Sequence, residues 1–101
     1  MTQAVDVTGQ LALPPVVDLG NADATWKASQ QLCDENAAQL TLDASDLAEV
    51  TSIGVQIVFA TAAYAGARGK QAFLRHANDP IRQDLALFGL TELSPVPSLS
   101  T

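Results

Sequence analysis

The sequence predicts an α/β domain on a mixed, partly parallel sheet of about four strands, with three or more helices mainly on one face. Three observations predict it. Short segments with a period-two apolar pattern alternate along the chain with longer segments punctuated as helices. Two successive strand–helix–strand runs call for crossovers, which join parallel neighbours. Of the 101 residues, 48% are hydrophobic and only 16% charged, enough apolar material to fill one core without disulfides or a structural metal.

Val5 and Val7 alternate with Asp6 and Thr8, Thr8-Gly9-Gln10 offers a turn, and Leu11-Ala12-Leu13 returns, so the opening reads as a short hairpin. Pro14-Pro15 cannot donate to a ladder and ends its second strand. Asn21 caps a first helix running through Asp23 to Cys33, whose buried side carries Trp26, Leu32 and Cys33. Leu40-Thr41-Leu42-Asp43-Ala44 alternates as a strand with Leu40, Leu42 and Ala44 turned inward. Ser52 to Ala67 is a helix by length and alanine content, with Ser52 or Thr51 as its cap.

Gln71-Ala72-Phe73-Leu74 is the last strand. The final helix has Asp79 as N-cap, Pro80 at its first position, and Ile81, Leu85 and Phe88 on one stripe. Gly89 supplies the left-handed residue that ends it, and Leu90 folds back. Residues 1–90 thus form one domain, and residues 91–101, TELSPVPSLST, read as a flexible tail.

The central helix carries more apolar surface than one sheet face requires. At about 100° per residue, Val55, Val58, Phe59, Ala62 and Ala65 form a core-facing stripe, while Ile53, Ile57, Ala60 and Tyr64 form a second. Either a neighbouring helix or a partner protein covers that second stripe, and Ser52, Gln56 and Ala63 lie between the two.

Charge and motif exclude several function classes. Eleven Asp and Glu against five Lys and Arg give a net charge of −6, which repels nucleic acid and anionic membranes. MTQAVDVTGQ has no export pattern, and the longest apolar run falls short of the ~20 residues a spanning helix needs. With Cys33 as the single cysteine, a reducing cytoplasm is the expected setting. One histidine, His76, and no Gly-x-Ser-x-Gly elbow leave no triad; Asp43, Asp46 and Glu49 lack a calcium-loop pattern; no phosphate loop precedes a helix. The expectation is therefore a protein that is not an enzyme and has no cofactor or metal.

Ser52 begins the central helix, where free N–H groups and the helix dipole favour a phosphate. Around it, Leu42-Asp43-Ala44-Ser45-Asp46-Leu47 followed by Thr51-Ser52-Ile53-Gly54-Val55 resembles the strand-to-helix signature of STAS domains, the fold of sulfate transporters and anti-sigma factor antagonists. Leu13-Pro14-Pro15-Val16-Val17-Asp18-Leu19 and Ala86-Leu87-Phe88-Gly89-Leu90 extend the likeness to a small stand-alone bacterial branch. The resemblance implies a protein-binding adaptor of anti-sigma, two-component or chemosensory signalling. Its partner would be a histidine-kinase-like or other signalling protein. Ser52 would be the phosphoacceptor, with Asp43 and Ser45 in the neighbouring loop at the contact surface; the second apolar stripe adds Ile53, Ile57 and Tyr64 to that contact, with Thr51 and Gln56 beside the serine. Thr51 stands where the family motif has Asp, and Ile53 where it has a small polar residue. A second expectation from the resemblance is a constitutive accessory subunit of a bacterial phospholipid-trafficking ABC transporter.

Overall fold

The computed structural model describes residues 8–35 and 37–97. Six elements follow in chain order: β1 (Thr8–Ala12), α1 (Ala22–Asp34), β2 (Gln39–Asp43), α2 (Ser52–Gly66), β3 (Gln71–Arg75) and α3 (Asp79–Ala86). The strands form a parallel sheet in the order β1-β2-β3, so each helix between strands is a crossover. α1 and α2 pack on one another over a single face, to which the sheet turns Leu11, Leu40, Leu42, Ala72 and Leu74. Ile81 and Leu85 of α3 join the same core. Gln10, Thr41 and Phe73, paired in register, lie on the opposite face, where Thr41 is buried and the Arg75 guanidinium lies 4.4 Å from the Phe73 ring centre.

Several expectations differ from the structure. Thr8-Gly9-Gln10 is strand and not turn, and Gly9 is there for closeness: a Cβ on it would come within 2.8 Å of Leu32 Cδ1 on α1. Val5 and Val7, the expected first strand, lie outside the described residues; the three strands among the described residues are all parallel. The buried side of α1 is Thr25, Ser29, Leu32 and Cys33, while Trp26 is only half-buried. Small polar residues let α1 approach α2, because their hydroxyls are satisfied within their own helices. Ser29 Oγ donates to the Thr25 carbonyl at 2.9 Å, and across the seam Thr61, 0% exposed, donates to the Ile57 carbonyl at 2.7 Å.

The N-cap of α3 is Asn78, whose side chain accepts from the Ile81 N–H at 3.1 Å; Asp79 is the first helical residue and pairs with Arg82. Phe88 stays 45% exposed because the helix has ended; Gly89 turns at φ +79° and Leu90 takes the inward place, donating its N–H to the Leu85 carbonyl at 3.1 Å. The expected strand at Gln71 and the inward Leu40, Leu42 and Ala44 are found as read.

Beyond Leu90 the described residues contain no helix or strand but are tied to the domain. Val96, 6% exposed, donates its N–H to the Ala72 carbonyl at 2.7 Å. The Glu92 carboxylate accepts from the His76 N–H at 2.7 Å and from Arg82 Nε at 2.9 Å. The His76 N–H, followed by Arg82, holds Glu92 below the ordinary glutamate value of 4.5. A lowered folded value means that the tether is fully stabilising above that pH and is lost as pH falls through the folded value. Followed by NMR, the His76 amide shift should titrate with an apparent pKa below 4.5, and the transition should vanish in Glu92→Gln. A transition at or above the ordinary value would contradict the tether.

Candidate functional site

The start of α2 is built by one side chain. Thr51 stays extended at φ −117°, ψ 156°, and its Oγ1 accepts from the Gly54 N–H at 3.0 Å, capping the helix. The same hydroxyl donates to the Val17 carbonyl at 2.6 Å, joining the β1–α1 loop to α2. Gly54 permits that junction, since a Cβ there would stand 3.1 Å from Thr51 Oγ1 and 3.3 Å from Val17 Cβ. Thr51 is therefore the cap, and Ser52 is released to the first helical position with its side chain exposed.

On one side of Ser52 a surface groove runs between α1 and α2, lined by Ala22, Asp23, Trp26, Ile53, Gln56, Ile57 and Ala60. Ile53 and Ile57 are half-buried there, and Gln56 is exposed. On the other side lies a narrow apolar cleft whose lining includes Val17, Leu47, Val50, Thr51, Gly54 and Leu85, with Glu49 at its border. Leu19, in the loop that Thr51 holds, is 87% exposed. An exposed hydroxyl between two apolar depressions is an arrangement suited to contact with another protein.

Not all expected contact residues meet here. Ser52, Ile53, Gln56 and Ile57 do, and Thr51 acts as their support. Tyr64 sits about 18 Å further along the helix and is engaged internally: its ring meets Trp26 edge-on at 5.8 Å, Arg68 lies 3.5 Å over its face, and Arg68 Nε pairs with Asp34 at 2.9 Å. The second stripe is thus divided, with α1 covering its Tyr64 end and leaving its Ile53 end as a groove. Asp43 and Ser45 lie at the same end of the sheet but toward Gln10 and His76. The Ser45 N–H donates to Asp43 at 2.9 Å and is the main cause that holds this carboxyl below its usual value.

The remaining titratable candidates are structural. Cys33 is sealed between α1 and α2, and burial pushes its thiol up, away from the reactive thiolate. Lys70 Nζ donates to the Cys33 carbonyl at 2.5 Å and also to that of Glu35, closing the end of α1. Among the described residues no cluster of His, Cys, Asp or Glu has the arrangement of a metal site, and no helix is long and apolar enough to cross a membrane. Sequence reading missed Leu19, whose only signal is a large apolar residue between Asp18 and Gly20 in a turn.

No curated protein matches the chain. Residues 1–96 match the model of a family described as Mlab, STAS domain.

Proposed function

The chain belongs to the STAS domain family, and from that premise we propose that it is a non-enzymatic adaptor that docks onto a protein partner through the start of α2, with Ser52 as the point of control. The observation that carries the proposal is the exposed Ser52 hydroxyl standing between the Ile53–Ile57 groove and the cleft beside Val50. A charge placed there must lose water when the surfaces close, so phosphate at this position releases a partner without disturbing the fold. The N-cap hydrogen bond belongs to Thr51 and survives the modification. The settings to which the resemblance points are anti-sigma, two-component and chemosensory signalling in the cytoplasm.

A second reading is favoured by Thr51. Its hydroxyl is committed to Gly54 and Val17, so the position offers no acid to a kinase. A permanently bound accessory subunit, as in a phospholipid-trafficking ABC transporter, needs none. Affinity purification from the native cell, with mass spectrometry of both the partner and Ser52, separates the two: a signalling partner with phosphate on Ser52 supports the first, and a transporter ATPase with unmodified Ser52 supports the second. Under the first reading, Ser52→Asp should weaken binding about tenfold, roughly 1.4 kcal/mol, with the melting temperature nearly unchanged. Equal affinities in a calorimetric titration would remove the switch and leave the docking.

A further inference from the structure

Leu19 is 87% exposed on a turn that is closed by its neighbours' side chains. Asp18 Oδ1 accepts from the N–H groups of Gly20 at 2.9 Å and Asn21 at 3.1 Å. Asn21 Oδ1 accepts from the Asp18 N–H at 2.9 Å, and Asn21 Nδ2 donates to the Val16 carbonyl at 2.8 Å. Nothing in this bonding requires a leucine at position 19. Because the turn is already ordered, a partner that buries Leu19 escapes the usual ordering loss. Its flanks place it beside the groove: the Val17 carbonyl accepts from Thr51, and Ala22 and Asp23 line the groove with Ile53 and Ile57.

The charges around it are one-sided. Lys27 pairs with Asp23, Arg68 with Asp34, and Arg82 with Asp79 and Glu92. Lys70 is held by the carbonyls of Cys33 and Glu35, and Arg75 by the Phe73 ring. Among the described residues no Lys or Arg forms an ion pair with Asp18, Asp46 or Glu49, all exposed on the loops around the Ser52 end. Complementarity then asks for positive charge opposite.

Resting on the docking reading above, we infer that Leu19 is the anchor of that contact and that its occupant is a protein surface with an apolar pocket rimmed by Lys and Arg. Asp18, Asp46 and Glu49 lie at the border, where charges stay hydrated and steer the encounter. Ser52 lies inside it, where an added charge is stripped of water. The basic rim and the sensitivity to a negative charge at Ser52 are therefore compatible.

The test is site-specific photo-crosslinking in the native cell, with benzoylphenylalanine placed singly at Leu19, Ile53 and the control Leu87, which is 83% exposed at the C-terminal end of α3 and lines neither the groove nor the cleft. Positions 19 and 53 should yield adducts with one and the same protein, and position 87 none. The segment captured from position 19 should hold more Lys and Arg than Asp and Glu. Leu19→Ala should lower the adduct yield at position 53 about tenfold, with an unchanged melting curve. An adduct at 53 without one at 19, an acidic captured segment, or an unchanged yield at 53 overturns the anchor and leaves docking through α2 standing. Absence of adducts at both positions overturns the anchor and the docking together.

Discussion

Thr51→Asp, which would restore the family's acid before Ser52, is expected to destabilise the protein by about 2–3 kcal/mol. The carboxylate can replace the hydroxyl as acceptor for the Gly54 N–H, but it cannot donate to the Val17 carbonyl, which Thr51 Oγ1 approaches at 2.6 Å. Two oxygens would face each other without a proton between them, and the loop carrying Leu19 would lose its attachment to α2. For a domain of this size the loss corresponds to a fall in melting temperature of roughly 10–20 °C. Thr51→Ser keeps both hydrogen bonds and should stay within about 0.5 kcal/mol of the parent. Thermal and urea unfolding of the three proteins decide the matter; a Thr51→Asp protein as stable as the parent would show that the donor is dispensable. The departure from the family motif is then a consequence of local packing, in which the position needs a group that both donates and accepts.

Ile53→Arg should reduce partner binding about 100-fold or more, near 2.7 kcal/mol. The side chain is half-buried in the groove beside Trp26 and Ile57, so the substitution removes part of an apolar wall and puts a guanidinium against a partner expected to be positive. Its position in the first turn of α2, partly open to water, keeps the expected stability change below about 1 kcal/mol. Leu87→Arg, on an exposed leucine at the C-terminal end of α3 that lines neither the groove nor the cleft, should leave binding unchanged. Titration of each variant with the co-purifying partner, alongside its melting curve, separates lost contact from lost fold. An Ile53→Arg protein that binds normally would move the interface away from α2.

What could be read from the sequence was whatever repeats or punctuates. Leu40, Leu42 and Ala44 announce their strand by alternation, and Gly89 with Leu90 marks the end of α3. The place of Ser52 at the head of α2 was legible for the same reason, as a polar residue before a long apolar run. Three features were hidden by long-range effects. Thr25, Ser29 and Thr61 look like surface residues until two helices meet and their hydroxyls turn back to their own carbonyls. Tyr64 belongs to an apolar stripe in sequence, yet Asp34 and Arg68 enclose it from either side of the α1–α2 seam. Gly9 reads as a turn residue, and only the approach of Leu32 shows that it is a strand residue that must lack a side chain.

The parallel register of the sheet also governs how the chain reaches this state. Thr8 pairs with Gln39, and Gln39 with Gln71, so each strand meets its neighbour only across about thirty intervening residues. No hairpin joins the described strands, so sheet growth cannot begin at a tight local turn. Helical turns in α1 and α2 must collapse first to bring distant strands within reach, which places refolding toward the slow end for small domains, in milliseconds or longer. On the ribosome, β2 has β1 alone beside it until β3 is made, so a nascent chain ending before Gln71 exposes a hydrogen-bonding edge rich in leucine.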